Sequence, residues 1–299
     1  MQHPPFFSVI LPTYNRPQLL LTALESIRTQ DVPGTEIVVV DDCSAVHYPD
    51  LHLDEASVKY FKLGKNSGVS VARNYGVTQA TADWLVFLDD DDQLAPGYLR
   101  LLKQHIEEDA AGSYGFYWSS LCILEGGEST RTRTWPTNFK SREDLFSHAI
   151  SIGASFGFAV RRQLFLDVGG FDPQFRVAED VELVTKLLAH EVLPRYLPDV
   201  GTIKNERHAE RLSSSPGLYS RENIYERLMS MHADFFRNYP ACQRSILLWS
   251  AAVHRLSGSF RKELKNLKDL WRLGFRAAVL HYLFTRGKTF RELGFSSNG

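Results

Sequence analysis

The chain has 299 residues, of which 43% are apolar, 23% charged and 12% aromatic. That composition supports a sizeable globular core and excludes disordered and fibrous classes. With 34 Lys/Arg against 35 Asp/Glu the net charge is −1, which argues against a general nucleic-acid binder.

The charge is unevenly placed. Residues 216–299 carry 14 Lys/Arg against 6 Asp/Glu, whereas residues 1–215 carry 20 against 29. An acidic body is followed by a basic region, and each needs its own explanation. Cys43, Cys122 and Cys242 are too few and too scattered for a disulfide framework or a zinc site. No run reaches the roughly 20 apolar residues of a spanning helix, and the N-terminus shows no signal-peptide pattern. These features predict a cytoplasmic protein, with peripheral attachment at the inner face of the membrane left open.

In chain order, residues 6–11 are an apolar run stopped by Pro12, which reads as a buried strand. From Pro17, Leu20, Ala23, Leu24 and Ile27 share one helical face. Residues 36–40 read as a second buried strand ending at Asp41-Asp42, and 58–61 as a third. A helix is expected over 70–80 with Val71, Ala72, Tyr75 and Ala80 inward, then a strand over 84–88 ending at Asp89. This rhythm predicts a Rossmann-like, mostly parallel α/β sheet sandwiched by helices, with its ligand crevice beyond the carboxyl ends of the strands.

After residue 116 the rhythm changes. Residues 116–123 and 130–135 alternate as antiparallel or edge strands, 141–148 as a helix and 153–160 as a small-residue strand. A helix is expected from Glu179 with Val181, Val184, Leu187 and Leu188 inward. The breaker cluster at 213–217 marks a boundary, giving a main domain over 1–215 and a helical region over 216–299.

Two acidic clusters fall at strand ends. Leu88 is followed by Asp89-Asp90-Asp91-Asp92, four carboxylates that require partners, protonation or a cation. If strand geometry continues, Asp89 and Asp91 point one way and Asp90 and Asp92 the other. A D-x-D pair then offers oxygens to Mg²⁺ or Mn²⁺; a solvated acidic turn is the alternative. Asp41-Asp42 can accept hydrogen bonds from a base imino group or a ribose, or can cap a turn. The first turn, Pro12-Thr13-Tyr14-Asn15-Arg16-Pro17, has neither the dinucleotide nor the P-loop glycine pattern, so nicotinamide dehydrogenases and P-loop NTPases fit poorly.

Five segments in order carry a resemblance. They are residues 8–16 (SVILPTYNR), 37–44 (IVVVDDCS), 66–76 (NSGVSVARNYG), 83–92 (DWLVFLDDDD), and the paired stretches 168–172 (VGGFD) and 178–183 (AEDVEL). Together they resemble the family 2 glycosyltransferases, which have the GT-A fold and move a sugar from a nucleotide-diphospho donor to an acceptor hydroxyl with inversion. The resemblance covers roughly residues 6–215. It implies Pro12, Tyr14, Asp42, Arg73, Asp89 and Asp90 as donor-binding positions, with Tyr14 and Asp42 flanking the base, Arg73 by the nucleotide and Asp89 near the ribose. It implies Asp91 and His208 as contacts of Mn²⁺ or Mg²⁺ and Asp180 as the general base. The expected donor is a UDP-sugar. The expected acceptor is a saccharide or lipid-linked glycan in polysaccharide or glycoconjugate synthesis. A non-catalytic nucleotide-sugar-binding scaffold and a sugar nucleotidyltransferase are the competing readings.

Acceptor contacts are expected between residues 116 and 158, where Trp118, Trp135 and Phe156 can stack on a sugar ring or fill the core. In the basic region, Phe260, Leu264, Leu267, Trp271, Phe275, Ala278 and Tyr282 recur at helical intervals, flanked by Arg261, Lys262, Lys265, Lys268, Arg272 and Arg276. Such a stripe can lie in an anionic membrane interface or pack against protein.

Overall fold

The structure is a computed structural model that describes residues 4–30, 32–48, 57–125, 128–153, 156–205 and 223–284. The chain divides into two compact units, residues 1–138 with 152–208 and residues 139–151 with 209–299. The boundary expected at 215/216 lies outside the described residues.

Among the described residues the first unit has nine strands: β1 (Phe7–Thr13), β2 (Thr35–Asp41), β3 (Val58–Lys62), β4 (Trp84–Phe87), β5 (Asp92–Leu94), β6 (Tyr114–Glu125), β7 (Glu128–Arg133), β8 (Ala159–Arg161) and β9 (Leu193–Asn205). Its helices are α1 (Pro17–Arg28), α2 (Val69–Gln79), α3 (Tyr98–Glu108), α5 (Arg162–Asp167) and α6 (Glu179–Ala189), while α4 (Arg142–Ala149) belongs to the second unit. The sheet runs β3-β2-β1-β4-β8-β6-β9-β5, with β7 on β6. β3, β2, β1 and β4 are parallel, so the ends of β1, β2 and β4 face the same edge. The sheet reverses at β8, which is antiparallel to both β4 and β6. This is the expected α/β sheet with helices on its faces.

β1 is buried along its whole length. One of its faces packs Phe7, Val9 and Leu11 against Leu20, Ala23, Leu24 and Ile27 of α1, the four helix positions that the periodicity singled out. A fully covered parallel strand has no polar alternation, which is why the run 6–11 is continuous.

The elements differ from the expected ones at several points. In α2 the buried face is Ser70, Ala72, Arg73, Gly76 and Val77, whereas Tyr75 is exposed and Val71 half-buried. A Cβ at Gly76 would stand 2.8 Å from Ile10 Cγ2 and 3.2 Å from Val40 Cγ2, so the glycine lets the helix approach the sheet and turns Tyr75 outward. The segment 116–123, expected as an antiparallel or edge strand, is antiparallel to β8 and β7 and lies inside the sheet, with a parallel partner in β9. Among the described residues of 153–160, Ala159 and Val160 are strand, the start of the short β8. β9 was not expected at all, because Pro194 and Pro198 interrupt it; the β6–β9 register shifts between Ser119 and Ser120, beside Pro198.

The second unit is helical: α4, α7 (Ile224–Met231), α8 (Ala233–Asn238), α9 (Pro240–Leu256), α10 (Phe260–Arg272) and α11 (Arg276–Phe284), with α9 packing on α4, α7, α8 and α10. The expected stripe over 260–283 breaks between α10 and α11, where Gly274 takes φ 85°. α10 buries Glu263, Asn266, Leu267 and Leu270 but exposes Phe260, Leu264 and Trp271. Among the described residues, no helix is long and apolar enough to cross a membrane.

A buried polar clamp ties the parallel strands together. Glu36 on β2 accepts hydrogen bonds from Ser8 on β1, from Lys59 Nζ on β3 (2.6 Å) and from the Thr81 backbone N–H (2.5 Å). Burial opposes its charge, but these donors outweigh it and hold the carboxyl below its usual pKa. The folded pKa lies below the unfolded one, so this stabilisation is present above about pH 4.3 and is lost as pH falls toward the folded value. Glu36→Gln is therefore expected to cost about 2 kcal/mol near neutrality and progressively less in acid, measured by urea unfolding across pH. An equal cost at all pH values would contradict this account.

Candidate active site

The loops after β1 and β2 are laced together before any ligand arrives. Asn15, at φ 56°, accepts from the Ala45 N–H through its side chain (2.8 Å) and donates its own backbone N–H to Ser44 Oγ (2.8 Å). The Asp42 N–H donates to the Thr13 carbonyl (2.9 Å). Pro12 is buried in β1 opposite Val40, and Tyr14 stands 44% exposed on the loop beyond. Asp42 faces the start of α2: its two oxygens accept the backbone N–H groups of Ser67 (2.7 Å) and Gly68 (2.8 Å). Gly68 has φ 92°, a conformation that a side chain there would strain.

The acidic run does not continue as a strand. The Asp92 N–H donates back to the Asp89 carbonyl (3.1 Å), closing a turn. That turn corrects the expected alternation. Asp89, Asp91 and Asp92 offer carboxylate oxygens that all lie within 4.8 Å of one another, whereas Asp90 turns to the β1 loop. Asp90 accepts from Thr13 Oγ1 (2.7 Å) and pairs with Arg16 (3.2 Å), which also reaches Asp91 (3.4 Å). Burial raises Asp90 to about 6; Thr13 and Arg16 pull it down, and Asp91 and Asp89 push it up. The β5–β9 pairing places Lys204 opposite Asp92, at 3.6 Å. The trio is an all-oxygen donor set of the kind Mg²⁺ and Mn²⁺ take, so the residues fit such an ion.

Arg73 joins this turn to α6. Only 3% exposed, its guanidinium donates to Asp89 Oδ1 (2.6 Å) and to Glu179 Oε1 (2.9 Å), and lies over the Phe171 ring. Burial alone would discharge it, but Asp89, Glu179 and Asp180 hold its pKa above the ordinary arginine value. Glu179 is pushed up by burial and by Asp180, with Arg73 opposing. Asp180 itself lies in the first turn of α6, half-buried, and its Oδ1 accepts the Val181 N–H (2.8 Å). The helix N-terminus favours an anion there. Gly153 lies against the other oxygen: a Cβ would overlap Asp180 Oδ2 and stand 3.5 Å from Phe156 Cε2.

The structure thus brings Asp89, Asp91, Arg73 and Asp180 to one neighbourhood. His208 lies outside the described residues. Sequence reasoning missed Glu179, Arg16, Asp92 and Gly153; Glu179 and Asp92 were visible as the first and last carboxylates of their clusters, but nothing local paired them. The gly-gly turn of 168–172 proves to be a positioning device. Asn74 bonds both the Phe171 N–H (2.9 Å) and carbonyl (2.7 Å), and a Cβ on Gly170 would stand 2.7 Å from Asn74 Oδ1. Of the two readings left open for Trp118 and Trp135, the structure places both in the core: Trp118 is fully buried and stacks on Tyr196 (5.3 Å), and Trp135 is 8% exposed.

Removing the bridge should leave two carboxylates without their shared cation. Arg73→Ala is expected to destabilise the fold by about 3 kcal/mol in urea unfolding, with Arg73→Lys in between because an ammonium cannot span both oxygens. A loss below about 0.5 kcal/mol, typical of surface substitutions, would contradict the burial and pairing described.

The family model of Glycosyl transferase family 2 matches residues 8–169. The chain is 40% identical over 291 residues to the GalNAc(5)-diNAcBac-PP-undecaprenol beta-1,3-glucosyltransferase of Campylobacter jejuni, covering 91% of this chain and 88% of that one. An uncharacterized glycosyltransferase of Haemophilus influenzae is 30% identical over 183 residues, 60% of this chain; the match spans 61% of that relative's length. Among solved structures, Staphylococcus aureus TarS in complex with UDP-GlcNAc superposes with a TM-score of 0.66 at 23% identity, over 96% of this chain and 92% of that one, a likeness of fold. The chain therefore belongs to glycosyl transferase family 2, a family of glycosyltransferases, and has its GT-A fold.

Proposed function

We propose that the chain is an inverting glycosyltransferase that moves a sugar from a UDP-sugar to a hydroxyl of a saccharide carried on a polyprenyl diphosphate. One observation supports this above the others: Arg73 ties the Asp89–Asp92 turn to the first turn of α6, so a cation site and a candidate base share one neighbourhood. The lipid-linked acceptor is argued from the Campylobacter relative, which is similar over nearly the whole of both chains.

In this reading Tyr14 packs on the base at the exposed mouth of the β1 loop. Pro12 and Asp42 shape that pocket, Asp42 by holding the Ser67–Gly68 backbone. Asp89 serves the ribose, and Asp91 with Asp92 holds Mn²⁺ or Mg²⁺. His208 is assigned to the same ion or diphosphate. When bound, that ion supplies a Lewis acid for the charge that builds on the departing nucleoside diphosphate. Asp90, tied to Thr13 and Arg16, fixes the turn from behind. Asp180 accepts the proton of the attacking acceptor hydroxyl as the new glycosidic bond forms on the opposite face of the sugar. One base suffices for a single displacement. Arg73 and Glu179 both act on it electrostatically, the guanidinium by attraction and the Glu179 carboxyl by repulsion.

Residues 1–215 are assigned to catalysis and 216–299 to attachment. On α10, Phe260, Leu264 and Trp271 are exposed at 68%, 53% and 45%, with Arg261, Lys268 and Arg272 on the same helix. An apolar, cationic surface of this kind suits an anionic bilayer, where a lipid-linked acceptor resides.

Asp180→Asn is expected to reduce transfer by about 10²–10⁴-fold, while thermal stabilisation by UDP-sugar with Mn²⁺ stays as in the parent. Loss of that stabilisation would move Asp180 into the donor site and remove it as the base. Separately, replacing Phe260, Leu264 and Trp271 with serine should abolish co-sedimentation with vesicles containing anionic phospholipid. Unchanged sedimentation would exclude this face as the membrane contact.

A further inference from the structure

Three buried hydroxyls run beneath the two loops that frame the proposed base position. Tyr48 is 8% exposed, lies four residues beyond the motif segment 37–44, and packs its ring beside Tyr60, 6.2 Å between centroids. Its Oη meets Thr13 Oγ1 (2.9 Å), Ser44 Oγ (3.0 Å) and the Arg16 backbone N–H (3.2 Å). Thr13 and Ser44 are buried as well.

Proton counting gives this chain a direction, because a hydroxyl has one proton to donate. Thr13 donates its proton to Asp90 Oδ2 (2.7 Å), so Tyr48 must donate to Thr13. The Tyr48 proton is then committed, so Ser44 donates to Tyr48. Ser44 Oγ in turn accepts the Asn15 backbone N–H (2.8 Å). Each O–H therefore points from the β2 loop toward the acidic turn, and each bond polarises the next.

A second path starts from the same oxygen. Tyr48 holds Arg16 by its backbone, and the Arg16 guanidinium reaches Asp90 (3.2 Å) and Asp91 (3.4 Å). The far end is anchored too. Asp41 accepts the Ser44 backbone N–H (2.8 Å) and the Tyr60 hydroxyl (2.7 Å), and Lys62 donates to the Ser44 carbonyl (2.9 Å). One hydroxyl thus connects the β1 loop, the β2 loop and the turn that carries the Asp89, Asp91 and Asp92 oxygens. Because it is buried, deleting it leaves its partners unpaired rather than hydrated.

Resting on the transferase reading above, we propose that Tyr48 is a positioning residue that couples binding of the donor's nucleoside to binding of the divalent cation. Through its hydroxyl, a base that fixes the β1 and β2 loops also fixes Asp90 and Asp91. The second ligand then meets a site already in place and binds more tightly. The coupling is reciprocal, so each ligand tightens the other by the same factor.

The probes are uridine and Mn²⁺ with the full chain, at mildly alkaline pH where Asp90 is a carboxylate. Uridine has no phosphate, so the diphosphate bridge that links nucleotide and ion directly is absent. Mn²⁺ affinity is measured by titration calorimetry with and without millimolar uridine. In the parent, uridine should tighten Mn²⁺ about fivefold or more. Tyr48→Phe keeps the ring and removes the hydroxyl, and the factor should fall to about one. Thr13→Val breaks the same chain one bond further on and should do the same, which keeps the test alive if Tyr48→Phe does not fold. The double variant should lose no more coupling than either single one. A factor equal to the parent's in a folded variant, or additive losses in the double variant, overturns the assignment. A parent that binds UDP with Mn²⁺ but whose Mn²⁺ affinity ignores uridine also overturns it, and leaves the transferase reading standing. A parent that binds neither UDP nor a UDP-sugar, with or without Mn²⁺, sinks that reading itself.

Discussion

A single buried guanidinium sets the geometry of the first unit's active edge. Taking Arg73 out of water is expensive, and it is offset only because Asp89 and Glu179 meet it at hydrogen-bond distance from two different parts of the chain. Each partner is then fixed in turn. Asp89 sits where the turn after β4 begins, and Glu179 opens α6, so the ion pair locks strand end and helix start together. Supporting contacts exist to make that pairing reachable. Gly76 brings α2 against β1 and β2, Asn74 fixes the 169–171 turn, and Phe171 covers the guanidinium.

The same edge concentrates negative charge. Four consecutive aspartates and the Glu179–Asp180 pair are answered by Arg16, Arg73 and Lys204. The consequence is visible in Asp90, which burial and its neighbours raise to about 6 despite Thr13 and Arg16. Two carboxylates about 5 Å apart repel by roughly 3 kcal/mol at an effective dielectric near 20. A divalent ion at Asp89, Asp91 and Asp92, as in the proposed function, would remove most of that repulsion. The protein's own arginines hold the carboxylates in place from outside, leaving the oxygens of the trio close together.

Much of the first half of the fold was legible in the sequence because each element there carries one dominant signal. Continuous apolar runs gave β1, β2 and β4, and the α1 spacing named its four buried residues. Legibility failed where tertiary contacts overrode a local pattern. Tyr75 looked inward by spacing, but Gly76 decides which face of α2 meets the sheet. β9 hid behind Pro194 and Pro198, so the antiparallel character of β6 was readable but its parallel partner was not. At the site, residue identities were readable and their partners were not. Asp92 joins Asp89 and Asp91 only because a turn replaces the strand, and Arg73 finds Glu179 across 106 residues of chain. Asp42 could be read from the sequence as a base contact or as a cap; both its oxygens accept backbone N–H groups that fix the entry to α2.

The basic region shows the limit of periodicity most directly. A stripe repeating at three, four and seven residues establishes a helix, but it does not say which face the neighbours take. In α10 the face turned to α9 is partly polar, with Asn266 donating to Ser250 (2.8 Å), and Glu263 accepts from Tyr282 of α11 (3.0 Å). Leu267 and Leu270 complete that face. Phe260, Leu264 and Trp271 are thereby turned outward beside lysines and arginines. A helix whose polar residues are buried and whose aromatic residues are exposed contributes less to its own unit's core than its composition allows. Its outward surface combines hydrophobic area with positive charge, the pairing that an anionic lipid interface rewards and that solubility alone does not.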